Sequence, residues 1–254
     1  MRILLTNDDG IYAEGILALA RALRDSAEVT LVAPDRPRSA SGHSITLHKP
    51  LRATPVSVEE GILALASNGT PADCVSLALR GLLDQRPDVV ISGINKGPNL
   101  GLDLTYSGTV SAAMEGAIVG IPSFAISVAS YADNISLAPA IKFVRRLIAS
   151  LPAHGLPRYS LLNVNIPAVS EAEIAGVQIT RLGRRHYPEH VVKRTDPFGR
   201  NYYWLGGDPP EDVLEEGTDV KAIADHYISV TPVHLDLTHY DLIPEVKQWA
   251  LSPE

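Results

Sequence analysis

The 254-residue chain lacks the features that mark secreted and membrane-spanning proteins. Its single cysteine, Cys74, cannot form an internal disulfide or a thiolate zinc site, so we expect a cytoplasmic location. The longest mostly apolar stretch, 117–129, is interrupted by glycine, proline and serine and falls short of the ~20 residues that span a bilayer. The first residues also form too short an apolar run for a signal peptide. We therefore expect no membrane-spanning segment and no export signal.

The chain also lacks any dense run of lysine or arginine, and its 29 acidic residues exceed its 22 basic residues by 7. Such a charge balance is not typical of proteins that bind nucleic-acid polymers or anionic membranes, so we expect neither as a partner. Hydrophobic residues make up 45% and charged residues 20% of the chain, as in average folded proteins. The length predicts one large domain, or one domain with an appendage.

Four familiar catalytic signatures are missing from the sequence. They are Gly-x-Gly-x-x-Gly after a strand, the Gly-Lys-Ser/Thr phosphate loop, His-Glu-x-x-His and Gly-x-Ser-x-Gly. Their absence argues against a dehydrogenase, a P-loop kinase, a zinc protease and an ordinary serine hydrolase.

What the sequence does contain is an alternation of buried-strand and helix patterns through residues 1–167. Near-continuous apolar strands separated by helices are typical of an α/β fold, here a Rossmann-like, mostly parallel sheet with helices on both faces. Ligand sites in such sheets lie beyond the carboxyl ends of the strands, so we expect the active site in this part. The predicted strands are 2–6, 29–33, 62–66, 88–92, 123–128 and 161–166, and the predicted helices are 16–23, one opening at Pro71, 110–119 and 137–151.

From residue 168 the pattern changes to aromatic, charged, glycine and proline residues. The run Asp196-Pro197-Phe198-Gly199 is typical of a hairpin turn, and Pro232 places a late strand at an edge or irregularity. Because isolated hairpins are marginal in water, residues 168–254 are predicted to form a C-terminal β-rich arm that packs on the sheet or reaches a second subunit. The predicted strands of this arm are 190–194, 201–205 and 227–235.

The first candidate site is Asn7-Asp8-Asp9-Gly10, directly after the first strand. Two adjacent carboxylates raise each other's pKa unless a cation lies between them. A hard divalent ion such as Mg²⁺ or Mn²⁺ prefers such oxygen ligands. The alternative is an Asx turn that caps the following helix at Glu14. The motif alone leaves both interpretations open.

The second candidate is the glycine-rich loop 93–101, followed by Ser107-Gly108-Thr109 at the start of a helix. Asn95 offers a neutral carbonyl oxygen to the same ion. The backbone N–H groups of Gly108 and Thr109, with the helix dipole behind them, suit an anion such as phosphate. The alternative is that Ser107 or Thr109 only caps the helix and the glycines only turn the chain.

The third candidate is the segment 34–44 after the second strand. Ser39 can give an oxygen to a metal, Arg36 or Arg38 can meet a phosphate, and His43 can act as an acid or base. A single loop histidine is more often a surface residue, so His43 and both arginines are discounted.

Together these motifs resemble the SurE family, the stationary-phase survival proteins, almost from end to end. The loop asparagine is followed by Lys96 where the family commonly has a small residue, a difference that bears on substrate charge and leaves the ligands intact. The matching segments are 2–11, 33–35 with 39–46, 69–75, 92–101 with 106–110, and 216–219.

The resemblance implies a metal-dependent phosphomonoesterase that hydrolyses nucleoside 5′- and 3′-monophosphates to nucleoside and phosphate, with activity on short-chain polyphosphate. It further implies a homodimer or homotetramer with one divalent ion, Mg²⁺ or Mn²⁺, per subunit. The implied metal ligands are Asp8, Asp9, Ser39 and Asn95, of which Asp8, Asp9 and Asn95 are also the catalytic residues. The implied phosphate-side residues are Asn99, Ser107, Gly108 and Thr109.

Mechanism and function each keep alternatives at this point. A metal-activated water is the preferred nucleophile, because aspartyl-phosphate enzymes use carboxylates one residue apart and Asp8 and Asp9 are adjacent. A non-catalytic nucleotide or metal sensor has the same binding groups. A metal-dependent glycosyltransferase needs a second nucleotide-binding half, for which the part after residue 168 is too short.

Overall fold

The structure is a computed structural model that describes residues 1–187, 191–205, 210–249 and 251. The strands are β1 (Arg2–Thr6), β2 (Glu28–Pro34), β3 (Ala53–Pro55), β4 (Leu63–Ser67), β5 (Val89–Lys96), β6 (Ser123–Val128), β7 (Ser160–Ile166), β8 (Gly176–Ile179), β9 (Arg184–His186), β10 (Val191–Thr195), β11 (Asn201–Leu205), β12 (Glu211–Val213) and β13 (Tyr227–His234). The α-helices are α1 (Glu14–Leu23), α2 (Pro71–Leu77), α3 (Gly108–Ile118), α4 (Ala138–His154), α5 (Asp219–Ala224) and α6 (Ile243–Val246). A π-helical turn at Ala78–Leu82 and short 3-10 turns at Gly101–Tyr106, Glu171–Glu173 and Tyr240–Leu242 complete the described elements.

Nine strands form one sheet in the order β3-β4-β2-β1-β5-β6-β7-β13-β8. The six strands from β4 to β7 are parallel, β3 is antiparallel to β4, and β13 is antiparallel to β7. The order reverses direction at β1, with β2 on one side and β5 on the other, which is where α/β sheets bind ligands. The predicted mostly parallel α/β sheet is therefore confirmed.

Helices cover both faces of this sheet. Successive residues of β1 point to opposite faces, and each belongs to a different apolar cluster. Leu5 lies in one cluster with Leu19 of α1, and Leu4 lies in the other with Val75 of α2. The first cluster also takes in α4 and the second α3. Burial on both sides explains why the central strands are nearly continuous apolar runs.

The sheet continues past the predicted boundary at 167/168. β13 pairs along β7, and β8 pairs with the first half of β13. Pro232 lies beyond the last residue that β8 pairs, opposite Leu162 of β7, so the expected edge position is confirmed locally. The division into residues 1–167 and 168–254 stays a prediction, although two strands of the second part complete the sheet of the first.

The predicted hairpin is confirmed for the described residues. β10 and β11 pair antiparallel from Val191 opposite Leu205 to Thr195 opposite Asn201. The carboxylate of Asp196 closes the turn by accepting hydrogen bonds from backbone N–H groups two and four residues later, both at 2.9 Å. His190, the first residue of the predicted strand, lies outside the described residues.

β5 is longer than predicted and ends at Lys96 instead of residue 92. It passes through an irregularity between Ser92 and Asn95, then pairs again with β6. Gly93 has a φ of +138°, and a Cβ there would lie 2.4 Å from the carbonyl oxygen of Ile126, so only glycine fits. The extension keeps Asn95 on the sheet, held in register beside the site. Among the described helices, none is both long and apolar enough to cross a membrane.

Candidate active site

The Asn7 side chain shapes the turn that follows β1. Its amide donates to the carbonyl of Gly10 at 2.9 Å, and its side-chain oxygen accepts from the Gly10 N–H at 3.2 Å. The N-cap of α1 is Ala13, which makes no side-chain cap hydrogen bond. The Asx turn considered from the sequence is therefore present, but neither Asp8 nor Asp9 caps the helix.

Asp8 is a buried carboxylate, only 6% exposed. Its Oδ1 accepts a hydrogen bond from the hydroxyl of Thr109 in α3, and its backbone carbonyl accepts from the N–H of Arg38 at 2.7 Å. Burial and, to a smaller extent, the charge of Asp9 raise the pKa of Asp8 to about 6, against the opposing effect of the Thr109 hydrogen bond. Thr109 thus joins α3 to the β1 turn and does not act as the helix cap.

Asp9 is half-buried, and burial raises its pKa as well. The backbone N–H of Lys96 lies 3.4 Å from its Oδ2, and both this N–H and the lysine charge oppose the rise. Asp9, Asn95 and Lys96 line the same cleft of about 360 Å³. The amide nitrogen of Asn95 donates to the carbonyl of Gly97 at 2.8 Å, so the side-chain oxygen of Asn95 is the atom that could bind a cation. The ends of β1 and β5 therefore bring two sequence-predicted residues to one cleft.

The segment after β2 brings Ser39 next to this turn. Arg38 donates its backbone N–H to Asp8, so the exposed Ser39 follows directly on a residue that contacts the carboxylate loop. The Arg38 guanidinium donates to the carbonyl of Asn68 at 2.7 Å and lies 3.7 Å from Asp35. Arg38 is thus engaged in holding the segment.

The start of α3 lies directly against Asp8. The Ser107 hydroxyl accepts from the N–H of Val110 at 3.1 Å, so Ser107 caps α3, as the alternative interpretation held for this residue. A Cβ on Gly108 would lie 2.7 Å from Cβ of Asp8 and 2.9 Å from Oγ of Ser41. Only glycine allows the first turn of the helix to approach the carboxylate so closely.

Asn99 is buried in a polar network between the glycine-rich loop and the sheet. Its backbone N–H donates to Asn165 Oδ1 at 2.8 Å, its side-chain amide donates to Ser127 Oγ at 2.8 Å, and its carbonyl accepts from the amide of Asn163 at 2.8 Å. These bonds fix the loop against β6 and β7. Within the described ranges, no hydrogen bond links Asn99 to the two aspartates.

The donor set suits a hard cation. Over the part of the chain that the structure describes, no three His, Cys, Asp or Glu side chains are grouped to hold a metal. The groups that do meet are two adjacent carboxylates with raised pKa values and Asn95, which lines the same cleft as Asp9, while Ser39 follows the residue that bonds to the Asp8 carbonyl. Mutual repulsion and burial disfavour two ionised carboxylates here, so a divalent cation with oxygen preference fits between them.

Comparison with known proteins supports the resemblance seen in the motifs. The family model described as survival protein SurE matches residues 3–189 of this chain. The chain belongs to the SurE family. A relative named 5′-nucleotidase SurE from Heliobacterium modesticaldum is 52% identical over 250 residues, which cover 98% of this chain and 92% of the relative. A protein of the same name from Geobacter sulfurreducens is 50% identical, covering 99% of this chain and 95% of the relative.

A solved structure agrees over nearly the whole chain. The crystal structure of the SurE protein from Aquifex aeolicus matches with a TM-score of 0.83 at 45% identity, covering 97% of this chain and 98% of that one. This SurE family member therefore shares the fold of its structural neighbour.

Two features of this SurE site escaped the sequence reasoning. His43, discounted as a surface residue, has its Nε2 2.7 Å from Oε1 of Glu115 in α3. The two residues are 72 positions apart, so no local pattern could pair them. Ser41 has a buried hydroxyl with no hydrogen-bond partner among the described residues. Its only sequence signal was its place between Ser39 and His43.

Proposed function

We propose that this protein is a phosphatase-type hydrolase, a metal-dependent enzyme that converts nucleoside 5′-monophosphates to nucleoside and phosphate. The observation that most supports this proposal is the pair of adjacent carboxylates, Asp8 and Asp9, at the end of the central strand, with Asp8 packed against the start of α3. The names of the curated relatives support the substrate class. The proposal extends to 3′-monophosphates and short-chain polyphosphate, which present the same terminal phosphoryl group.

One divalent ion per subunit, Mg²⁺ or Mn²⁺, would be held by Asp8, Asp9, Ser39 and Asn95. When bound, it would supply positive charge that stabilises the phosphoryl oxygens and lowers the pKa of water. The hydrogen bond from the Thr109 hydroxyl orients Asp8. The hydrogen bond from the Asn95 side-chain amide to the carbonyl of Gly97 orients the Asn95 side-chain oxygen.

The phosphoryl group is expected at the start of α3. Backbone N–H groups of Gly108 and Thr109 would donate to its oxygens, and the helix dipole would favour its negative charge. Ser107 would hold the helix end in shape through its cap. Asn99 would position the glycine-rich loop through its bonds to β6 and β7.

We propose water as the nucleophile in preference to an aspartate. One oxygen of Asp8 is already committed to Thr109, and the two carboxylates are adjacent in sequence, unlike the pair of aspartyl-phosphate enzymes. The water oxygen forms the new P–O bond as the bond to the nucleoside oxygen breaks. One water proton goes to that leaving oxygen, and the other stays on the phosphate, which is released as hydrogen phosphate.

The test is release of inorganic phosphate from a nucleoside monophosphate with Mg²⁺ or Mn²⁺ added. We expect EDTA to abolish release, excess metal to restore it, and Asp9→Asn to lower it at least a hundredfold. Asp25→Asn, at an exposed carboxylate two residues after α1, is the matched control and should keep wild-type activity. Undiminished release in EDTA or in Asp9→Asn would remove the metal from the proposal.

The same assay tests one rival function, a non-catalytic sensor, which would bind nucleotide and release no phosphate. The fold bears on the other rival. A glycosyltransferase would require a second nucleotide-binding half, whereas β8 and β13 of the C-terminal part extend the first sheet. The cytoplasmic location and the absence of nucleic-acid and membrane partners stay predictions from composition.

We further propose a homodimer or homotetramer built through the β10–β11 hairpin. Its residues Tyr203, Trp204 and Leu205 are 58%, 65% and 89% exposed. Successive strand residues point to opposite faces, so large apolar side chains are exposed on both faces of this hairpin, and such exposure is typical of protein interaction surfaces.

A further inference from the structure

Ser41 carries a buried hydroxyl that makes no hydrogen bond to any described group of the protein. Buried side-chain hydroxyls in folded proteins normally have a partner. The neighbours of Ser41 fix the segment without it. The Gly42 N–H donates to the carbonyl of Tyr106 at 3.0 Å, and His43 pairs with Glu115. The hydroxyl is therefore held in place by its surroundings and contributes no bond to them.

The hydroxyl lies where Asp8 contacts the start of α3. The position that a Cβ on Gly108 would take lies 2.9 Å from Ser41 Oγ and 3.1 Å from Asp8 Oδ2. The serine hydroxyl and the Asp8 carboxylate thus both lie against the first residue of α3, in a space too small for a side chain at residue 108. The proposed function puts the phosphoryl group against the backbone N–H of this same residue, so the Ser41 hydroxyl lies beside that group.

We propose that the Ser41 hydroxyl donates a hydrogen bond to a phosphoryl oxygen of the substrate, an inference that rests on the proposed function. A phosphate dianion offers only acceptors, and the carboxylates beside it offer none of the donors that it needs. A hydroxyl on the α3 side adds a neutral donor to the N–H groups of the helix start. Hydrogen bonds to a charged acceptor are about twice as strong as neutral ones, so this contact should matter for affinity.

The test compares Ser41→Ala with Ser44→Ala, a matched loss of a hydroxyl three residues along the same segment. Ser44 is exposed, and its hydroxyl donates only to the carbonyl of Ser41. Each protein is measured for kcat/KM with a nucleoside monophosphate, for the inhibition constant of orthophosphate, and for the metal concentration that gives half-maximal activity. The midpoint of thermal unfolding, Tm, is measured in EDTA.

For Ser41→Ala we expect the orthophosphate inhibition constant to rise, and kcat/KM to fall, by about tenfold or more. The half-maximal metal concentration and Tm should stay as in the wild type, because neither a metal ligand nor an internal hydrogen bond is lost. Ser41→Cys, which keeps the size and donates weakly, should lie between. Ser44→Ala should stay within threefold of the wild type in every kinetic measure.

Wild-type kinetics in Ser41→Ala would overturn the inference and leave the proposed function standing. If only the half-maximal metal concentration rises in Ser41→Ala, the inference is also overturned, because the hydroxyl would then be a ligand of the cation and not a donor to the phosphoryl group. A fall in Tm that accounts for the kinetic loss would do the same, by making the role structural. A wild-type protein that releases no phosphate would overturn the proposed function and this inference with it.

Discussion

Among single residues, Asp8 shows most clearly how folding and chemistry oppose each other. The fold buries its carboxylate and sets Asp9 beside it, and both raise its pKa to about 6. The Thr109 hydroxyl recovers part of the lost solvation. An ionised Asp8 therefore destabilises the metal-free protein, and a bound cation would relieve that cost.

Asp8→Asn is expected to stabilise the metal-free protein at pH 8 while abolishing activity. The folded-state pKa of Asp8 lies above its ordinary value of 3.8, so the stability that its protonated form supports is present below pH 3.8 and is lost as pH rises past about 6. Asparagine does not ionise and still accepts from Thr109. In urea unfolding with EDTA, the variant should gain about 2 to 3 kcal/mol at pH 8.

The gain should shrink as the pH falls from 6 towards 3.8, because wild-type Asp8 becomes protonated in the folded state over this range, and it should be lost below pH 3.8, where Asp8 is protonated in the unfolded state as well. Asp25→Asn, at an exposed carboxylate, should show no such gain at any pH. A variant less stable than the wild type at pH 8 would contradict the assigned cause of the shift.

At the scale of elements, the site depends on how closely α3 approaches the end of β1. Gly108→Ala puts a methyl group 2.7 Å from Cβ of Asp8 and 2.9 Å from Ser41 Oγ, so helix and carboxylate must move apart. We expect at least a hundredfold loss of kcat/KM and a tenfold weaker orthophosphate inhibition, measured by steady-state kinetics.

The matched control is Gly116→Ala in the same helix, where a Cβ would lie 2.3 Å from Ser123 Oγ and 2.9 Å from a methyl of Val90. That contact is on the sheet side, away from the aspartates. Gly116→Ala should lower Tm and leave the orthophosphate inhibition constant unchanged. Equal kinetic effects in the two variants would mean that α3 affects the site only through overall stability.

Elements with long apolar runs, and the hairpin marked by its turn residues, were predictable from the sequence, and the short exposed strands were not. β1 and β6 have the predicted bounds because their side chains are nearly all buried. The predicted end of β5 was wrong, since the glycine at its irregularity interrupts the apolar pattern. β3, β9 and β12 are three residues long and largely exposed, so they carry no periodic signal.

The candidate site divides in the same way. The Asp8-Asp9 pair follows β1 and Asn95 lies near the carboxyl end of β5, so the sequence alone predicts that they lie at the same edge of the sheet. The His43–Glu115 pair and the buried Ser41 hydroxyl depend on how the segment after β2 packs against α3, which only the folded structure reveals.

At the scale of the whole molecule, the C-terminal part contains two structurally different regions. β8 and β13 complete the sheet, with β13 hydrogen-bonded along β7. The β10–β11 hairpin lies outside that sheet and presents its aromatic residues to solvent. The β8 and β13 strands act within the subunit, whereas the exposed β10–β11 hairpin is available for contact with another copy of the chain.

Replacing Trp204 and Leu205 by serine should therefore reduce the oligomeric mass in light scattering after gel filtration. The pair is exposed in one subunit, so the substitution removes interface area without opening a core. Leu47→Ser, at a leucine 85% exposed elsewhere on the surface, is the control and should keep the wild-type mass. An unchanged mass in the double variant would place the interface on another surface.

The most direct test of the central claim is a crystal grown with Mn²⁺ and orthophosphate, with data collected at the manganese edge. The account predicts a single anomalous peak per subunit, within coordination distance of Asp8, Asp9, Ser39 and Asn95, with the phosphate between it and the start of α3. Aspartates turned away from each other, with no peak between them and the asparagine, would contradict it.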